Sequence, residues 1–177
     1  MRIDLSDPLP LSAEAVFHLI RDDMPSLVPY MEGADSITVT SRVETEDQVT
    51  LVNRWIGSMD AVPAAVQKFA SRELISWDDH ATWTTSTKSC RWRLEPLKQI
   101  GIFSCSGTTT VTAVGEDTAT LSMAIDLDIY PDKVPGVPKF LARRIRPQIE
   151  KFISGHLTKS MRNLALSIRA YAAANPS

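Results

Sequence analysis

"IEKFISGHLTKSMRNLALSIRAY" occupies residues 149–171. At 3.6 residues per turn it sets Ile149, Ile153, Leu157, Met161, Leu164, Ile168 and Tyr171 along one line. It also carries Lys151, Lys159, Arg162 and Arg169 against a single acid, Glu150. The pattern predicts a helix of about 25 residues, nearly 40 Å long and about twice the usual length. A stripe that long needs something wide to cover.

Just upstream, Pro147 interrupts "KFLARRIRPQIE", so a short first piece and a kink or restart at Pro147 are expected. Before that, "PDKVPGVP" is a breaker-rich loop. Further back, from about Ala34 to Tyr130, the apolar period changes to two. The segments read as strands are "SITVTSRVE", "VTLVNRWIGSM", "AVQKFASRELISW", "ATWTTSTKSCRWRLEP", "GIFSCSGTTTVTAV" and "ATLSMAIDLDIY". Between them, "TEDQ", "DAVPA", "DDHA", "EPLKQ" and "GED" carry turn chemistry. "RIDLSDPLP" at the start adds a seventh strand, ended by prolines. "LSAEAVFHLIRDD" follows as a helix capped by Ser12, with Glu14 in its first turn, Leu11 stapling onto Val16, and Val16, Leu19 and Ile20 buried. The prolines of "MPSLVPYM" limit the next stretch to a short helix or turn.

The 177 residues predict one domain over 1–177, large enough for a real core. The formal charge is −2 but uneven: residues 137–177 hold +7 and the remainder −9. That is a local basic surface, not the signature of a nucleic-acid binder, and the aromatics do not interleave with it. No h-region opens the chain and no run is long enough to span a bilayer. Two cysteines are too few for a disulfide scaffold. The expectation is a cytoplasmic protein.

Hairpin registers fix which side chains share a face. A turn centred between Leu97 and Lys98 would pair Glu95 with Ile100, Trp92 with Phe103 and Cys90 with Cys105, leaving Arg91 and Arg93 in water. At "VGEDT" a three-residue turn with a bulge pairs Cys105 with Leu127 and Val111 with Leu121. The apolar face then holds Leu121, Met123, Ile125, Leu127 and Ile129. Carried across the other turns, it takes in Phe69, Ile75, Trp77, Leu51, Asn53, Trp55 and Met59. Such a sheet needs a cover, and the terminal helix is the element long enough to supply it.

The order strand, two short helices, six-strand meander, long C-terminal helix resembles the helix-grip fold of the START-like superfamily. "VPGVPKFLARRIRPQIEKFISGHL" (residues 134–157) is similar to the approach to that helix in bacterial members. The fold class expected is therefore α+β, a seven-stranded antiparallel sheet wrapped around the C-terminal helix. The resemblance implies a cavity between sheet and helix for an apolar or amphipathic small molecule, and it brings no shared catalytic motif.

Within the apolar face the polar residues are Asn53, Glu73, Ser86 and Lys88. Glu73 is expected opposite Ser86, with Lys88 diagonal to it, either as a polar anchor for a ligand head group or with both charges reaching solvent. Trp55 and Trp92 either stack on a ligand or pack as core; Trp83 falls on the outer face. The ligand-binding set predicted is Asn53, Trp55, Phe69, Glu73, Lys88, Trp92, Phe103, Met123, Ile125, Ile153 and Leu157. Cys90 and Cys105 read as packed thiols facing each other. His18, His80 and His156 lie in three elements without metal spacing, and His80 sits in a turn, so no metal and no cofactor are expected. Arg143, Arg144, Arg146 and Lys151 form either a solvated face or a contact with an anionic membrane surface. A carrier or sensor of a lipid, sterol, isoprenoid or polyketide is the first reading. A polyketide cyclase or aromatase, with Glu73, Lys88 and Asn53 doing acid–base work, is the second. An interaction module is the third.

Overall fold

The computed structural model of the chain describes residues 1–61, 71–98, 101, 103–130, 133 and 139–176. For residues 74, 139–146, 148–154, 156–157 and 160 it is the backbone that is described. β1 (Arg2–Leu9) leads to helix α1 (Ala13–Asp22) and a 3-10 helix (Met24–Tyr30). β2 (Ala34–Glu44), β3 (Gln48–Gly57), β4 (Trp77–Thr84), β5 (Ser89–Pro96), β6 (Phe103–Gly115) and β7 (Thr118–Ile129) follow, and α2 (Lys139–Ala174) ends the fold. The strands make one antiparallel sheet in the order β1-β7-β6-β5-β4-β3-β2.

The predicted cap forms. Ser12 Oγ accepts from the Ala15 amide at 3.2 Å, and Val16, Phe17, Leu19 and Ile20 turn inward. The inner face of the sheet holds Leu51, Val111, Leu121, Ile125 and Leu127, all nearly without exposure. Ala165 and Ile168 of α2 close over that core. Polar and aromatic contacts pin the C-terminal half of α2. Ser167 Oγ donates to Tyr30 O at 3.1 Å. Arg169 donates twice to Pro8 O, at 3.0 and 2.8 Å. Tyr30 and Tyr171 meet edge to face at 5.9 Å. Of the greasy stripe, Met161, Leu164, Ile168 and Tyr171 pack on this core, while the side chains of Ile149, Ile153 and Leu157 lie outside the described residues. The helix is one continuous element of 36 residues, about 54 Å of axis. It runs through Pro147 with no restart there.

The strand total is seven as expected, but two segments differ. "ATWTTSTKSCRWRLEP" is not one strand: residues 85–88 form a four-residue turn between β4 and β5. Its polar run of Thr and Ser hides the turn, which Asp47 builds by accepting from Ser86 N and Ser86 Oγ, each at 2.8 Å. Lys88 closes it with a φ of 45°, a conformation glycine tolerates better. In "AVQKFASRELISW", Arg72–Leu74 is a 3-10 turn and β4 begins at Trp77; the rest of that segment up to residue 70 lies outside the described residues. "DDHA" is likewise not a turn but the middle of β4.

The β6–β7 register is the predicted one, with Cys105 opposite Leu127, Val111 opposite Leu121 and a bulge after Ala113. The β5–β6 register is four residues away from the predicted one: Trp92 faces Gly107, Leu94 faces Cys105 and Cys90 faces Thr109. An even shift keeps each side chain on its face, so the apolar set survives and the pairs change. Cys90 and Cys105 are buried free thiols that do not oppose each other.

Candidate binding cavity

β3, β4, β5 and β6 offer one alternating row each to the space under α2. On β4 that row is Trp77, Asp79, Ala81 and Trp83. The four-residue turn brings Trp83 directly across from Cys90, which puts it inside. The outer-face placement of Trp83 is thereby corrected: it is 4 % exposed and packs edge to face on Phe17 at 5.6 Å. A strand drawn without a break from Ala81 to Pro96 gives the wrong parity. Trp55 and Trp77 are cross-strand partners and stack at 5.7 Å, 16° apart. Trp92 lies over Gly107 and donates Nε1 to Thr109 Oγ1 at 3.0 Å.

These four indoles line a cavity of about 110 Å³. Met24, Met123, Met161 and Leu164 add apolar wall, and Met31, Glu32, Gly33 and Asn163 form a rim where the loop before β2 meets α2. Asn163 Nδ2 donates to Glu32 O at 3.4 Å across that rim. The volume suits a ring or a short branched group; drug-sized sites begin near about 300 Å³.

Asp79 is the acid of this cavity. It was missed because Asp-Asp-His suggests a turn; read as a strand, "WDDHATWT" sends Trp77, Asp79, Ala81 and Trp83 to one side. Its direct partner across the β3–β4 ladder is Asn53, 2 % exposed. Because Asp79 borders the cavity it keeps some accessible area, yet its Oδ1 is sealed off. Apolar walls strip bulk water from the carboxyl and push its pKa up to about 7, with a hydrogen bond from Asn53 holding it back. Four buried polar atoms near here have no hydrogen-bond partner among the described residues: Asp79 Oδ1, Asn53 Oδ1, Trp55 Nε1 and Trp83 Nε1. Buried polar groups are rarely left so.

The predicted ligand set divides. Trp55, Trp92 and Met123 line the cavity, and Asn53 stands behind its acid. Phe103 and Ile125 are on the inner face but border the core, not the cavity. Glu73 is not on the sheet face at all: it is exposed on the 3-10 turn, and Ser86 is in the β4–β5 turn. Lys88 reaches across to α1, where its Nζ sits 2.7 Å from Glu14 Oε2 and lowers the Glu14 pKa. The expected Glu73–Lys88 pairing is therefore replaced by a tether between the hairpin and α1. Phe69 lies outside the described residues, as do the side chains of Ile153, Leu157, Arg143, Arg144, Arg146 and Lys151. His80 is in β4 on the outer face, 3.1 Å from Glu95.

Residues 4–165 match the family described as Protein of unknown function (DUF2505). The chain belongs to that family. No curated protein matches it. Three solved structures share the fold of this DUF2505 protein. A protein from Thermus thermophilus is 17 % identical with a TM-score of 0.64, covering 97 % of this chain and 99 % of that one. The Zhui aromatase/cyclase from Streptomyces sp. R1128 is 11 % identical with a TM-score of 0.63, covering 99 % and 96 %. A START superfamily protein from Mycobacterium smegmatis is 12 % identical with a TM-score of 0.56, covering 96 % and 95 %. The START-like helix-grip architecture is thus established for this chain. No helix among the described residues is long and apolar enough to cross a membrane.

Proposed function

We propose that this protein is a cytoplasmic carrier or sensor that takes a small, mainly apolar molecule into the cavity under α2. The observation that carries this reading is the largely apolar cavity lined by four tryptophans with the carboxyl of Asp79 among them. Lipids, sterols, isoprenoids and polyketides all offer a ring or branched group of the size that fits. Delivery at an anionic membrane, through Arg143, Arg144, Arg146 and Lys151, extends the same reading. Native mass spectrometry of gently purified protein tests it: a retained small-molecule adduct, lost in Trp83→Ala, is expected. An adduct-free protein whose tryptophan emission responds to no apolar ligand overturns it.

An enzymatic reading of the cyclase or aromatase type draws on Asp79. A carboxyl that titrates near 7 in an apolar cavity suits proton transfer at neutral pH. Turnover of a poly-β-ketone chain by the wild type, abolished in Asp79→Asn with ligand binding retained, is the result that would establish it. Equal turnover in the variant removes Asp79 from the chemistry.

A further inference from the structure

We infer that the group held in this cavity is an organic cation, a protonated amine on an aromatic or apolar body, held by Asp79 among four indoles, with Asn53 behind the acid. The inference rests on the binding reading above and adds the chemical class of the ligand.

Three features converge on it. The first is the sign of the charge. Among the described residues lining the cavity there is no Lys, Arg or His; the ionisable ones are Asp79 within, Cys90 on β5 and Glu32 at the rim. An anionic ligand would meet repulsion and find no counter-charge. The second is the wall. Trp55, Trp77, Trp83 and Trp92 line the cavity, and indole rings attract ammonium groups, most strongly where water is excluded. The third is the unmet demand for donors. Asp79 lines the cavity and keeps some accessible area there, while its own Oδ1 and the Oδ1 of Asn53 behind it are sealed and without a partner among the described residues, so a donor in the cavity meets the accessible side of the carboxyl. An ammonium brings up to three N–H donors and a compensating charge together.

No other described charge competes for Asp79. β3 faces it with Asn53 and Trp55, and α1 and the 3-10 helix with Ile20 and Met24. β5 and β6 bring Cys90 and Cys105, whose thiols burial and the nearby Asp79 charge hold protonated. Met161, Asn163 and Leu164 of α2 carry no charge. Lys159 lies 4.0 Å from Glu32 and both are exposed. Asp78 and His80 point to the opposite face, with Arg54 and Glu95.

Without a cation beside it, Asp79 shares its population between acid and carboxylate near neutrality. Ammonium binding selects the carboxylate and sends the proton to solvent. Amine affinity should therefore rise with pH through about 7 and level off above it.

The test uses the full chain and two probes of matched shape, phenethylamine and 2-phenylethanol, titrated by tryptophan fluorescence and by calorimetry in two buffers of different ionisation heat. At about pH 8 the amine should bind about tenfold more tightly than the alcohol, with the margin shrinking on the acid side of Asp79's ionisation. Near neutrality the two buffers should reveal proton release. Asp79→Asn should erase the margin and the pH dependence, with its circular dichroism and cooperative urea unfolding reporting that the variant is folded. Equal or weaker amine binding at about pH 8, or a margin that survives in Asp79→Asn, overturns the cation assignment and leaves the carrier reading standing. Silence of the tryptophans to both probes overturns the two together.

Discussion

Gly107 lies directly across the β5–β6 ladder from Trp92, and a methyl group at Gly107 would stand 2.6 Å from Cζ2 of that indole. The same methyl would come within 2.5 Å of the Ala124 carbonyl on β7. The backbone on one side cannot give, and the ring on the other is held by its bond to Thr109. Gly107→Ala should therefore displace Trp92 into the cavity. The expected loss is about 1–3 kcal/mol of stability, read by urea unfolding. Ligand binding should fall further than stability does, because the ring is itself a wall. Unchanged emission and affinity would show that Trp92 does not shape the cavity.

Asp79 should make the fold less stable as pH rises. Below about pH 4 its carboxyl is protonated in both states. Between there and about 7 the unfolded chain releases the proton and the native chain retains it, so native stability declines, and it levels off above that point. The full span is up to about 4 kcal/mol. Asp22 works in the opposite sense: burial tends to raise it, but hydrogen bonds from Arg21, His18 and Arg42 outweigh that and hold it well below the usual range. The difference between wild type and Asp79→Asn isolates the first effect. The advantage of the variant in urea midpoint should be larger at about pH 8 than at about pH 5.

How far the sequence disclosed this site depended on parity. Period-two and period-3.6 patterns revealed the element order, the cover and the apolar face, because burial imposes those periods directly. The β6–β7 pairing was legible because Gly115-Glu116-Asp117 is strong turn chemistry. Asp79 and Trp83 were not, because Asp78, Asp79 and His80 have turn-forming side chains while Thr84 to Thr87 have strand-forming ones. Local propensity points the wrong way at both places, and cross-strand packing overrides it. A strand drawn unbroken through Thr84 to Ser89 sets Lys88 on the face of Glu73; the turn at residues 85–88 and the 3-10 turn at Arg72–Leu74 separate them.

Ser76 is buried just ahead of β4, where its Oγ donates to Arg72 O at 2.6 Å and accepts from Gly57 N at 3.1 Å. It ties the 3-10 turn to the sheet. Ser76→Ala leaves the Gly57 amide without that acceptor and should cost about 1–3 kcal/mol, measured as a shift in midpoint at constant slope. A neutral result would mean that water replaces the hydroxyl.

The two thiols should be inert in the native protein. Burial pushes Cys90 well above its ordinary value and Cys105 up to about 12. An aromatic disulfide reagent at about pH 8 should label neither until denaturant is added, and then both. Rapid labelling under native conditions would mean that β5 and β6 open.

The sheet's two edges are its first two strands, with β1 seated beside β7 and β2 at the far side. Arg2 at one end of the chain pairs with Asp126 on β7. During synthesis on the ribosome β1 therefore has no strand neighbour until β7, more than a hundred residues later, has emerged. Closing so long a loop comes late and slowly, and until then the unpaired flank of β1 is open to chaperones or to another nascent copy.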